Sequence, residues 1–231
     1  MSSIDQVFQI EDLLLSIFKY LTTKEIFKCL SINKFWYKIA SSDHLFKPLF
    51  LNKYNDKTLI VDNYYHSYYL TNQIQILKTK ISLPMSNYTV YNLYSLSLSQ
   101  KLFNINNMIY KSCPKEIGIL HHLTFLDLSH NKLSSLPAEI GQLKTLEILI
   151  LDHNLLITLR SEICLLENLK SLSATNNQLV IIPSISNLYN LELLNLNHNK
   201  LTSMPNIQSL RKLKILSIEN NNIPSSTCTL F

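Results

Sequence analysis

One motif, Leu-x-x-Leu-x-Leu-x-x-Asn-x-Leu, recurs through the second half of the chain and limits what that half can fold into. Its first copy is Leu123, Leu126, Leu128, Asn131, Leu133, and its second is Leu146, Leu149, Leu151, Asn154, Leu156. The third is Leu169, Leu172, Ala174, Asn177, Leu179; the fourth Leu191, Leu194, Leu196, Asn199, Leu201; the fifth Leu213, Leu216, Ile218, Asn221, Ile223. The copies start 23, 23, 22 and 22 residues apart. Leu-x-Leu alternation makes a short strand with one buried face, and each copy can hide that face only by stacking on the next, so a parallel sheet follows. The Asn at its fixed position points inward, where its amide satisfies backbone groups that the turn leaves unpaired, and its role is structural.

Between the copies the chain returns through Leu136-Pro137-x-x-Ile140-x-x-Leu143, Leu159-Arg160-x-x-Ile163-x-x-Leu166, Ile182-Pro183-x-Ile185-x-x-Leu188 and Met204-Pro205-x-Ile207-x-x-Leu210. These segments are expected on the convex side. Cys113-Pro114-x-x-Ile117-x-x-Leu120 has the same form and marks a degenerate repeat before Leu123. A strand-like Leu93-x-x-Leu96-x-Leu98 stands further upstream with Lys101 in place of the Asn, which leaves the start of the array open. The pattern resembles the leucine-rich-repeat family. That resemblance implies an α/β architecture over residues 93–231: a curved solenoid with a parallel β-sheet on its concave face.

The residues that flank the buried leucines face the hollow. One column reads Phe125, Ile148, Ser171, Leu193, Ile215, and the next reads Asp127, Ile150, Ser173, Asn195, Ser217. Two more read Ser129, Asp152, Thr175, Asn197, Glu219 and His130, His153, Asn176, His198, Asn220. One edge is apolar and the other polar. With strands about 4.8 Å apart, five span roughly 19 Å, enough for a short peptide or one helix of a client protein. Candidate client-binding residues are the apolar Phe125, Ile148, Leu193 and Ile215, together with Ile150, Asp127, Asp152, Asn195, Asn197 and Glu219. The alternative is that the apolar column packs against the chain's own tail.

The front of the chain is helical in pattern. Leu13, Leu14, Ile17, Phe18 and Leu21 fall at helical spacing behind Glu11 and Asp12. Thr22-x-x-Glu25 has the capping-box spacing and opens a second helix containing Ile26, Phe27 and Leu30. Asn33 is placed to cap a third, in which Ile32, Trp36, Ile39 and Ala40 align. This run resembles the F-box, a three-helix domain of ubiquitin-ligase subunits, assigned here to residues 1–50. Two positions depart from the family pattern: Gln9-Ile10 stands where Leu-Pro is usual, and Asn33 where a cysteine is common. The resemblance implies that Leu13, Leu14, Ile17, Phe18, Leu21, Ile26, Ile32 and Trp36 form an apolar surface for the adaptor subunit that joins such proteins to a cullin and a RING ligase. Residues 51–92, with "NYYHSYYL" and "TNQIQILKTK", are expected to form a helical, tyrosine-rich linker.

Composition removes other classes. Gly118 and Gly141 are the only glycines, so the chain has no phosphate-cradling GxxxxGK[ST] loop, no GxGxxG turn and no GxSxG nucleophile elbow. Residues 1–122 carry 13 Lys/Arg against 8 Asp/Glu and residues 123–231 carry 8 against 8, an excess too small and scattered for a nucleic-acid partner. Cys29, Cys113, Cys164 and Cys228 include no CxxC pair, which argues against a disulfide framework and a zinc site. His130, His153 and Asp152 lack the further ligands a metal needs, so neither a metal nor another cofactor is expected. No Ser or Cys has a base and an orienting group beside it, and no enzyme is expected.

Residues 81–100 carry no charge, but Ser, Asn and Pro84 interrupt them, unlike a spanning helix. The ending Cys228-Thr229-Leu230-Phe231 has the form C-a-a-X, which makes Cys228 a candidate for a prenyl chain and hence peripheral membrane contact. The expected location is the cytoplasm, with the nucleus or a membrane surface as alternatives. Two functions stay open: a substrate receptor of an SCF-type ubiquitin ligase, or a signalling scaffold of the Ras-suppressor type whose helical front only caps the solenoid.

Overall fold

The computed structural model describes residues 18, 20–22, 25–26, 28, 47, 51, 64–102 and 112–224. The chain divides into two compact units, Met1–Asn72 and Gln73–Phe231.

In the first unit the capping box expected from Thr22 and Glu25 is formed. The Thr22 amide donates to Glu25 Oε2 at 2.8 Å, and the Glu25 amide returns a longer bond of 3.4 Å to Thr22 Oγ1. The Thr22 hydroxyl also donates to Glu25 Oε2 at 2.7 Å, and this set of bonds from Thr22 holds the Glu25 carboxyl below the usual range. Helix pattern begins at once: the amide of Ile26 donates to the carbonyl of Thr22 at 3.0 Å. The expected cap at Asn33 and the helix around Trp36 lie outside the described residues.

Helix α1, Tyr64–Ile81, takes in nearly all of both linker segments read from the sequence as one element. Its Ile74, Leu77 and Ile81 repeat at helical spacing and are buried, while Lys78 and Lys80 close its last turn, where cations suit the helix dipole. Lys80 Nζ bonds both carboxylate oxygens of the buried Glu116, at 2.9 and 2.8 Å. A short helix α2, Asn87–Tyr91, follows, with Ser86 Oγ accepting from the Thr89 amide at 3.1 Å as its cap. No described helix is long and apolar enough to cross a membrane.

Among the described residues, the rest of the second unit is built on one parallel sheet of six strands in sequence order. These are β1 (Ser95–Ser97), β2 (Phe125–Asp127), β3 (Ile148–Ile150), β4 (Ser171–Ser173), β5 (Leu193–Asn195) and β6 (Ile215–Ser217). The register aligns Leu96, Leu126, Leu149, Leu172, Leu194 and Leu216 in one row, the row that the Leu-x-Leu pattern assigned to the core. β1 pairs with β2 although Lys101 stands where the Asn belongs.

The asparagines form a ladder behind the sheet. Asn154 Nδ2 donates to the carbonyls of Leu128, Leu151 and Asp152, and its Oδ1 accepts from the amides of Asn131 and Leu133. Asn177 serves Leu151, Ala174 and Thr175 in the same way and accepts from Leu156; Asn199 serves Ala174, Leu196 and Asn197 and accepts from Leu179. Each side chain therefore bonds its own turn and the preceding repeat, so a single residue type both closes a loop and stacks two coils.

On the opposite side, 3-10 turns at Lys115–Ile119, Ala138–Gln142 and Ser161–Leu165 stack on one another. No such turn follows Pro183 or Pro205. The spacing explains this: those segments read Pro-x-Ile where the others read Pro-x-x-Ile or Arg-x-x-Ile, and the missing residue shortens the repeat from 23 to 22. Both glycines sit in this stack. A Cβ on Gly118 would lie 2.7 Å from the Glu139 carbonyl oxygen, and one on Gly141 would lie 2.8 Å from that of Glu162. The third turn carries Cys164 at the same place, where the following repeat has no 3-10 turn to meet it.

Candidate functional site

The exposed side of the sheet is built from the residues on either side of the central leucine row. Phe125, Asp127, Ile148, Ile150, Leu193 and Asn195 lie there, each half-buried, with Ser171 and Ser173 between them. Ile215, on the last strand, is 51% exposed. β1 adds Ser95 and Ser97 to the front of the same face, so six strands spaced by about 4.8 Å make it roughly 24 Å wide.

The polar edge is internally bonded. Asp127 Oδ2 accepts from the Ser97 hydroxyl and its Oδ1 from the Ser129 amide, both at 2.9 Å. Partial burial alone would raise its pKa, but these hydrogen bonds, helped by nearby His130, outweigh it and hold the carboxyl below its ordinary value. Asp152 Oδ1 accepts from the Ser173 hydroxyl at 2.7 Å and the Thr175 amide at 2.8 Å. Asn195 accepts from the Asn197 amide, and Asn197 from the Glu219 amide. Glu219 is exposed, and its carboxylate has no hydrogen-bond partner among the described residues.

The histidine column has a backbone explanation. His130, His153, Asn176, His198 and Asn220 all adopt positive φ, between 53° and 57°, as does Gln100 at 59° in the degenerate first repeat. This left-handed turn precedes each ladder asparagine, and Asn and His are among the side chains that tolerate it best. His130 and His153 stack face to face with centroids 4.2 Å apart. No group of three or more His, Cys, Asp or Glu capable of holding a metal occurs among the described residues. Cys113 is buried, and that burial, with Glu116 nearby, pushes its thiol up to about 12, so it is protonated and unreactive.

Of the adaptor-surface candidates, Leu13, Leu14, Ile17, Ile32 and Trp36 lie outside the described residues. Phe18 and Ile26 are each only 1% exposed. Leu21 is half-buried. Cys228 also lies outside the described residues.

A second surface was missed in the sequence. Leu155, Ile157, Val180 and Ile181, on the flank that follows the asparagine ladder, are between 38% and 58% exposed. The amide of Val180 donates to the carbonyl of Ile157, and Ile181 is bridged to Thr158, so the side chains share one patch across two repeats. Neighbouring repeats carry Lys132, Ser134 and Ser135 or Lys200, Thr202 and Ser203 at these places. Aligning the positions after each Asn, and not only those before it, exposes the departure.

This architecture of stacked strands, asparagine ladder and returning turns defines a leucine-rich-repeat solenoid. The sequence matches the family described as leucine-rich repeat region over residues 74–230 and the family described as F-box-like over residues 11–52. The chain belongs to the leucine-rich-repeat family and, with both matches in one polypeptide, is an F-box/leucine-rich-repeat protein. A leucine-rich-repeat protein of Leptospira interrogans is similar at 33% identity and TM-score 0.52, over 67% of this chain and 46% of that one. The chain thus spans less than half the length of that structure. The ectodomain of the Arabidopsis thaliana membrane receptor kinase GASSHO1/SCHENGEN3, solved in complex with CASPARIAN STRIP INTEGRITY FACTOR 2, is similar at 25% identity and TM-score 0.47, over 57% of this chain and 19% of that one. No curated protein matches the chain at a significant level.

Proposed function

We propose that the protein is a non-catalytic substrate receptor of an SCF-type ubiquitin ligase. The observation that carries this reading is the joining of an F-box-like segment at residues 11–52 to a leucine-rich-repeat region at residues 74–230 in one chain. The front segment docks the adaptor, and through it a cullin and a RING ligase. The exposed sheet face holds the client, with Phe125, Ile148, Leu193 and Ile215 as apolar anchors and the polar edge from Asp127 to Glu219 setting orientation. The chemistry of ubiquitin transfer belongs to other subunits.

The test is direct binding of the full chain to the purified adaptor, with a Leu14→Ser/Ile17→Ser double variant beside it. Phe18 and Ile26 are poor choices for this purpose, because their burial makes their replacement a test of folding. Saturable binding that weakens at least tenfold in the double variant, with circular dichroism unchanged, is the expected result. A folded wild-type chain that does not bind the adaptor removes the receptor reading.

A further inference from the structure

The returning segments carry Pro114, Pro137, Pro183 and Pro205 at one position, and Arg160 is the departure. Its backbone needs no arginine: at φ −68° and ψ 143° it has the conformation that proline prefers, and Pro137 adopts nearly the same angles. The side chain turns back onto the preceding repeat, where Nε donates to the Leu136 carbonyl at 3.0 Å.

There it borders a cleft of about 420 Å³, whose walls also include Lys80, Lys115, Ser112 and Ser135 above the buried Cys113. Ser112 and Ser135 are neighbours on a parallel bridge between two repeats, which brings their hydroxyls to one side. Glu116 neutralises Lys80, whereas neither Lys115 nor Arg160 forms an ion pair with any described carboxylate. Among the described residues the cleft thus combines two cations without a carboxylate partner, one of them a planar guanidinium, with two hydroxyls that have no side-chain partner. Its volume lies toward the small end of ligand sites, which run from about 300 to 1,000 Å³, and leaves space beyond one tetrahedral anion.

We propose that this cleft binds a phosphate monoester. A guanidinium fork and an ammonium suit the several oxygens of a dianionic phosphate, and serine hydroxyls add donors that a carboxylate ligand would leave partly unused. The ester is either a phosphorylated side chain of a bound peptide or a small free phosphate ester. The shared chemistry is the same, and the inference stands apart from adaptor docking.

The test titrates the full chain by calorimetry with three probes: a short phosphoserine peptide, its unphosphorylated twin, and free O-phosphoserine. The expected result is saturable binding of the phosphopeptide at least tenfold tighter than its twin. Arg160→Pro and Lys115→Gln should each weaken it at least fivefold. Arg160→Pro restores the residue of the other repeats, so its melting temperature should equal or exceed that of the wild type, and a loss of binding then reports the guanidinium alone. Free O-phosphoserine binding as tightly as the peptide identifies a small ester as the ligand; peptide binding that is much tighter identifies a phosphorylated chain. Equal affinity for the peptide and its twin, or binding that survives Arg160→Pro and Lys115→Gln unchanged, overturns the proposal.

Discussion

At the scale of single residues, the asparagine ladder explains why one polar residue type holds a fixed place in an otherwise apolar array. Asn154 makes five bonds to backbone groups within the repeat stack. Replacing it by Ala leaves several buried carbonyls and amides without partners, each costing about 1–3 kcal/mol where water cannot reach. Asn154→Ala should therefore destabilise the chain by about 3 kcal/mol in urea unfolding, whereas Asn221→Ala, at a half-buried position, should cost about 1 kcal/mol. Equal losses at the two positions would contradict the burial argument. The ladder was legible in the sequence, because a buried amide at a fixed interval has few other uses. The left-handed turn before it was not: nothing in the spacing of His130, His153 and His198 shows that they occupy a positive-φ backbone position suited to Asn and His.

At the scale of elements, the 3-10 stack sets the limits on the returning segments. Gly118 and Gly141 let successive turns approach until a Cβ would collide with backbone, which a neighbour cannot yield cheaply. Gly141→Ala should destabilise the protein by about 1–3 kcal/mol, read as a fall in the urea midpoint at unchanged slope. Cys164→Ala, at the equivalent place with no turn stacked beyond it, should stay near neutral, and a Gly141→Ala variant as stable as wild type would show that the stack can spread. The difference between Pro-x-x-Ile and Pro-x-Ile was visible in the sequence, yet its consequence appears only when the turns are set side by side. The strands are ordered by charge as well. Glu147, Lys170, Glu192 and Lys214 occupy one position in successive repeats, and Glu147–Lys170 and Glu192–Lys214 form exposed ion pairs. Lys214 holds the Glu192 carboxyl below its ordinary value. Exposed pairs add little stability, but alternation of sign penalises a register in which like charges meet.

At the scale of the whole repeat array, stability passes from neighbour to neighbour and is not shared evenly. The inward leucines of the middle strands, Leu126, Leu149, Leu172 and Leu194, are fully buried, while Leu213, Leu216 and Ile218 around β6 are only half-buried. Near the other end, within the same unit, Ile74, Leu77, Ile81 and Val90 from α1 and α2 are buried, and the Tyr91 ring meets His122 edge-on at 5.3 Å. The amides of Ile148, Ser171, Leu193 and Ile215 donate to Thr124, Glu147, Lys170 and Glu192 in equivalent bonds of 3.0 to 3.1 Å, so they report local opening on a common footing. Native-state hydrogen exchange should find Ile148 and Ser171 most protected, Leu193 next, and Ile215 at least tenfold faster than Ser171, a difference of about 1.4 kcal/mol in opening free energy. Uniform protection along the series would mean that the array opens as one cooperative body. A gradient would place the most mobile strand where Ile215, the most exposed of the proposed client anchors, sits, so that a bound client should slow exchange most at that end.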